Sequence, residues 1–414
     1  MTDPFSGGFD PRMFQNVPLF RELAKVMSWR GGPVNWELAS QTALAVAEPG
    51  GEPSAGRLAA GARTGETEGD RGGQEFEGAV QVAELWLDQV TALPPVEGPV
   101  RALSRGDWTR LACTSTGLGV YVEPVAEGMA GAMGKALPQE LEAMGDAMSQ
   151  ALSSMGAMLY GVQIGTVAGH LAGQLLGTYD LGVPTLDPHM VGTVGDTAER
   201  FARDYEFDRR EFTHWLALRE VAHRRQFAGV AWLRGHVAEL IGRFAADADL
   251  DPGRLMDQLG QLGMGPGLEG LDPEALQEAL GRPGAFEVQP TTAQQATLDR
   301  LQALVAFTEG WVSTVVAESA GDRLTSLARI EEAINRRRAA KGPGERFLEQ
   351  LIGLDLQPRD VRLGRSFCEA VITARGQEGL DRAWQQPAHL PSADELREPS
   401  RWLVRMAAAE LDTD

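Results

Sequence analysis

Apolar residues recur along most of the chain at the three- and four-residue spacing of helices. Sustained period-two alternation of β-branched residues is absent, so a mainly α, multi-helix fold is expected. A first helix is predicted within 31–47, with Asn35 as its N-cap. From 48 to 78 glycine and charge leave almost nothing to bury, which predicts a mobile linker, and residues 1–17 read as a disordered lead. Helical periodicity returns over 79–94, where Val80, Leu85 and Leu87 are among the apolar positions, and a methionine- and glycine-rich helical tract follows over 120–177. Pro184 and Pro188 break the pattern in 178–192, which marks the expected boundary between an N-terminal helical domain, 18–192, and a C-terminal one, 193–414. A glycine- and proline-rich loop spans 263–290 within the second.

Two helices of the second half are written most clearly. Asp208 and Glu211 have capping-box spacing, and Phe212, Trp215, Leu216, Ala222 and Phe227 draw an apolar stripe behind them. Thr291 and Gln294 open a further helix with the same spacing, and Gly321 closes it. Each of these helices carries charge on its apolar side. Arg219, Glu220 and His223 lie in or beside the first stripe, and Glu309 falls on the stripe of Val305, Val312 and Val316. No other charged residue stands between Arg300 and Glu318. Ionisable groups on a buried face are costly unless paired, so Glu309 is the expected partner of the 219–223 cluster.

No charged residue stands between Asp146 and Asp180, and Gly161, Gly165, Gly169, Gly173 and Gly177 recur there every fourth position. Such a seam lets a neighbouring backbone approach closely, in membranes or in tight bundles. Gln163, His170 and Gln174 dilute its hydrophobicity and no basic flank frames it, so a packed central helix of a soluble bundle is expected.

Composition narrows the function classes. Acidic residues number 58 against 38 basic ones, giving a net charge of −20, which disfavours nucleic acid and anionic lipid as partners. The densest basic run, 335–341, reads as a solvated helix end. Cys113 and Cys368 are the only cysteines, far apart, which excludes a disulfide framework and a cysteine zinc site and suits the cytoplasm. The first residues lack a basic region followed by an apolar run, so no secretory signal is expected.

The stretch Arg219–His223, "REVAH", is one residue from H-E-x-x-H. In that motif two histidines one helical turn apart reach the same metal, and the glutamate takes a proton from the metal-bound water. Arginine stays protonated and has no lone pair, so Arg219 cannot serve as a ligand. It can bind a carboxylate with its fork, placing fixed positive charge where the ion would sit. The expectation is that Arg219 binds Glu309 bidentately and makes Glu220, His223 and Glu309 tolerable in the core. His214 points off this face, His236 matches no zinc spacing, and His170, His189 and His389 read as loop or packing residues.

Longer stretches carry a resemblance: "GPVNWELA" (32–39), "AELWLDQVTALP" (83–94), "LALREVAHRRQFAGVAWLR" (216–234) and "LVAFTEGWVSTVVAESAGDR" (304–323). "RRRAAKGPGERFLEQLIGLDL" (336–356) and "RAWQQPAHLPSADEL" (382–396) complete it. The chain resembles a bacterial family of zincin-like metallopeptidases, also named candidate hydrolases, with a sister group linked by name to deazaflavin-cofactor biosynthesis. The resemblance implies a zincin-like helical core in the C-terminal domain, with the general-base position at Glu220, metal-ligand positions at His223 and Glu309, and the first ligand position at Arg219. A branch of the family shares that arginine.

Three functions follow as expectations. The first is a degenerate zincin without a resident cofactor, catalytically impaired and binding a peptide or protein in its cleft. The second is an active hydrolase holding zinc through Glu220, His223 and Glu309. The third is a helical interaction scaffold built on the glycine seam. Substrate, partner and oligomeric state are not written in the sequence.

Overall fold

The computed structural model describes residues 31–48, 68–136, 146–247, 291–340 and 357–411. The 1–17 lead and the 263–290 loop lie outside the described residues. The first helix, α1 (Trp36–Ala47), starts where expected, with the Asn35 side chain accepting from the Leu38 amide. Helix α2 (Glu68–Leu87) begins inside the stretch assigned to the linker, because its last turns dock a buried face of Phe76, Ala79, Val80, Ala83 and Leu87 on the protein core.

Strand β1 (Val100–Leu103), α3 (Arg105–Ala112), α4 (Gly119–Ala136) and α5 (Asp146–Ala172) follow. Strand β2 (Val191–Val194) pairs in parallel with β1, with Val100 opposite Val191 and Leu103 opposite Val194. Neither strand shows alternation: each has four residues, and β2 is buried at every position. The second half comprises α6 (Gly195–Asp204), α7 (Arg209–Phe227), α8 (Leu233–Ala246), α9 (Thr292–Ala320), α10 (Leu327–Ala340), α11 (Pro358–Asp381), α12 (Ala393–Arg397) and α13 (Pro399–Leu411). The fold is mainly α, as expected.

Apolar residues form two clusters. One joins α1, α3 and α5, where the glycine seam brings backbones together: a Cβ at Gly161, Gly165 or Gly169 would lie 2.4–2.6 Å from Asn35, Ala39 or Val46 atoms of α1 and its cap. Among the described residues no helix is long and apolar enough to cross a membrane. The other, larger cluster surrounds α7 and α9 and includes α2, α8 and α11. Helix α2 comes from the first half of the chain yet packs against α7, and the 178–192 segment is itself buried at Thr178, Tyr179, Val183, Thr185 and Leu186.

Candidate functional site

Helix α7 is capped by Asp208, whose carboxylate accepts from the Glu211 amide at 2.9 Å. Glu211 does not close the box. Its carboxylate accepts instead from Thr325 and Ser326 ahead of α10, bonds that hold its pKa down at about 2. From Trp215 to Phe227 every residue of α7 is buried, so the helix is enclosed on all sides rather than along one stripe. Five ionisable side chains on it, Arg219, Glu220, His223, Arg224 and Arg225, therefore need partners inside the protein, and each has them.

Helix α9 supplies the central acid. Its capping box at Thr291 and Gln294 forms in both directions, and Gly321 ends it with φ 45°. Glu309 has no exposed surface. Its Oε1 lies 2.7 Å from His223 Nε2, and its Oε2 accepts from Arg219 Nη2 at 3.2 Å. The same Arg219 nitrogen is 3.4 Å from Oε1, so one nitrogen straddles the carboxylate and the expected two-nitrogen fork does not form. The reason is a second cation: Arg338 Nη2 occupies the other approach, 2.8 Å from Oε2.

Arg338 belongs to the basic run assigned to solvent; that assignment fails for Arg338 and holds for Arg336, which is exposed. Ile330, Ala333, Ile334 and Arg338 form the buried face of α10, and Arg338 is 6% exposed. Its neighbour Arg337 binds both oxygens of Asp180 at 2.7 Å. The four-residue spacing Ile330, Ile334, Arg338 was the available signal, since the last member of an apolar face must be buried whatever its charge. Asp180, which also accepts from the Leu176 amide at 2.9 Å, had no comparable sign.

Electrostatics follow from these contacts. Burial alone would raise the Glu309 pKa, but Arg219, Arg338 and His223 together hold it well below the usual carboxylate range. Arg337 likewise overcomes burial at Asp180 and lowers its pKa. His223 Nδ1 is 2.8 Å from the Arg219 carbonyl oxygen, and its Nε2 faces the Glu309 carboxylate. The carbonyl oxygen only accepts, so Nδ1 carries hydrogen and donates to it. Tyr179 stacks on the imidazole with ring centroids 5.2 Å apart, and Arg219 lies over the Trp215 ring at 5.7 Å.

Glu220 stands apart from this cluster. Its Oε2 accepts from the Thr178 amide at 2.9 Å and from Thr178 Oγ1 at 2.5 Å, and its Oε1 from the Tyr179 amide at 3.2 Å. Arg219 attracts Glu220 only through space, and the bonds that hold the Glu220 carboxylate come from Thr178 and Tyr179. Burial outweighs these bonds and pushes the Glu220 pKa up to about 7. Gly177, the last glycine of the seam, lies past α5 and against this carboxylate: a Cβ there would meet Glu220 Oε1 at 2.3 Å.

Further along α7, Arg224 binds Glu84 at 2.6 Å, while Arg225 binds Glu84, Asp88 at 2.7 Å and the Leu93 carbonyl at 3.1 Å. These pairs fasten α2 to α7, and neither was read from the sequence. His214 stacks on Trp86, and His189 pairs with Asp187 at the surface.

The donors present do not fit zinc. A zincin-type centre needs three protein ligands with free lone pairs, leaving a fourth position open. Here Arg219 has none, His223 Nε2 is taken up by Glu309 at 2.7 Å, and guanidinium groups stand against the Glu309 carboxylate. Among the described residues no three His, Cys, Asp or Glu side chains converge as a metal-holding group.

The sequence profile of the zincin-like metallopeptidase family matches residues 34–403. A candidate hydrolase with a novel fold from Chloroflexus aurantiacus superposes on the structure with a TM-score of 0.59. It is 23% identical, with 90% of this chain and 99% of that one covered, a likeness of fold. No curated protein matches. The family profile spans both helices that build the Glu309 cluster, and the chain belongs to the zincin-like metallopeptidases.

Proposed function

We propose that this zincin has exchanged its metal for a pair of guanidinium groups and acts by binding a peptide or protein ligand in the adjoining cleft, without metal-dependent hydrolysis. The observation that carries this reading is Glu309, whose carboxylate is held by Arg219, Arg338 and His223 in full burial. Cations at both oxygens supply the positive charge that an ion would supply, and they occupy its approach.

An active hydrolase using Glu220, His223 and Glu309 is disfavoured by the same geometry. Glu220 is turned to the Thr178–Tyr179 amides, whereas a general base must reach the attacking water beside the other two residues. Cys113 and Cys368 are buried and free, which supports a reducing, cytoplasmic location.

The test is zinc content of the purified protein together with peptidase activity before and after chelation. The expected result is zinc far below one equivalent and a melting temperature indifferent to EDTA. Near-stoichiometric zinc that disappears in His223→Ala would overturn the proposal.

A further inference from the structure

A cleft of about 80 Å³ lies beside the Glu309 cluster, between α7, α9, α10 and α11. Among the described residues its wall includes Arg219, Arg338, Arg362 and Arg365, with Glu331 as the one carboxylate; Glu220, His223 and Glu309 do not reach it. Four guanidinium groups around one small space are unexpected in a chain of net charge −20. They are also incompletely used. Arg219 and Arg338 each give only Nη2 to Glu309, and Arg338 Nε is buried without a partner among the described residues. Arg365 is shared between Glu369 at 2.8 Å and Glu331 at 3.5 Å.

Arg362 is exposed, and no described side chain or backbone group pairs with it. Glu331 pairs with only one of the four, Arg365, at 3.5 Å, which leaves positive charge in excess along this wall. Val316, Ile334 and Val361 give the remaining wall an apolar character, and Trp215 lies beneath Arg219. Positive charge in a concave, low-dielectric wall focuses a field that draws an anion.

We infer that this cleft is an oxyanion site, in which Arg338, Arg362 and Arg365 bind the carboxylate or phosphate group of a small ligand while the valine and isoleucine wall takes a short apolar substituent. Guanidinium forks match both anions, and the volume admits a headgroup with a few carbons rather than a folded loop. A peptide would enter by its terminal carboxylate. The inference deepens the reading that the cleft, and not a metal, is the working site, and rests on it.

Calorimetric titration at low ionic strength tests it, with three probes: inorganic phosphate, an N-acetylated valine dipeptide as the free acid, and the same dipeptide as its amide. Saturable binding of phosphate or of the free acid, with the amide silent, is expected; which of the two binds identifies the source of the oxyanion. Arg362→Gln should weaken binding about tenfold or more, the equivalent of one charge-assisted hydrogen bond, and Arg362→Lys should recover part of it. No binding by either anion, or binding unchanged in Arg362→Gln and Arg365→Gln, overturns the site.

Zinc measured on the same samples separates the two readings. Zinc-free protein that binds neither anion leaves the guanidinium pair standing and removes the oxyanion site. Zinc-loaded protein whose anion binding depends on the metal removes both.

Discussion

Replacing Arg219 with histidine is the obvious attempt to complete a metal centre, and the structure predicts that it fails. Arg219→His would place two imidazoles one turn apart on α7, both within reach of Glu309. Arg338 would still sit 2.8 Å from Glu309 Oε2, on a buried face of α10. A zinc ion bound to that carboxylate lies roughly 2 Å from an oxygen, which puts it on the order of 4 Å from the Arg338 guanidinium. Unit charges at about 4 Å interact by about 4 kcal/mol at an effective dielectric near 20, so a divalent ion is repelled by about 8. Arg338 lines the cleft and can swing partly into it, which relieves roughly half, and about 4 kcal/mol remains. At about 1.4 kcal/mol per decade, that is an affinity loss of nearly a thousandfold.

The assay is zinc content after dialysis, followed by titration against a chelator of known affinity, on Arg219→His, Arg338→Met and the double variant. Methionine preserves most of the volume of Arg338 while removing its charge. The single variants should stay nearly zinc-free, and the double variant should take up one equivalent. Full occupancy in Arg219→His alone would refute the reasoning, because Arg338 would then not be a barrier. A folded double variant without zinc would refute it from the other side, since cations would not be what keeps the ion out. Peptidase activity should remain absent even in the zinc-loaded double variant, because Glu220 stays bound to Thr178 and Tyr179.

Two further outcomes follow from the packing around the site. Glu220 has a folded-state pKa raised from 4.5 to about 7, so the native state holds an extra proton in that window and stability falls as pH rises through it, by on the order of 3 kcal/mol. Denaturant titrations at pH 5 and 8 should show this slope in the wild type and lose it in Glu220→Gln, whatever the variant's absolute stability; an unchanged slope would contradict the assignment. Gly310→Ala would put a Cβ 2.2 Å from the Gly364 carbonyl carbon, forcing α9 from α11 at a cost of about 1–3 kcal/mol. Gly156→Ala, with nothing within 4 Å, should melt at or above the wild-type temperature, and equal losses in both variants would count against the close approach.

What was legible in the sequence was local. The capping box of α9, its end at Gly321, the cap of α7 and three of the five seam glycines, Gly161, Gly165 and Gly169, rest on spacings within a few residues, and the structure has them; Gly173 and Gly177 lie past the end of α5. The isolated Glu309 also announced that it needed a partner, because a lone acid on a valine face can be buried only if a cation or donor meets it. The identity of the partners was only half legible. Arg219 lay in a motif that drew the eye, whereas Arg338 lay in a basic run whose composition suggested solvent and whose periodicity said otherwise. Glu84 with Arg225, and Asp180 with Arg337, are separated by 141 and 157 residues, and no local rule selects among the many acids available. The β1–β2 ladder was invisible for a different reason: four residues are too few to establish a period.

The charges around Glu309 bear on why such a site would keep a ligand. A zinc centre with two neutral imidazoles and one carboxylate carries an excess of positive charge, and its open position is filled by water, hydroxide or a polarised substrate. Two guanidinium groups around the one carboxylate also leave positive charge in excess. Asp180 is committed to Arg337 and cannot cancel it by direct contact with Arg219 or Arg338. An uncompensated charge beside a low-dielectric wall is stable only where it meets solvent or a counter-ion. Arg219 and Arg338 both line the cleft, where their unused donors can meet solvent. On the proposed reading, exchange of an ion for arginines would abolish the nucleophile while preserving a field that attracts a ligand's oxygen, so binding would outlast the chemistry.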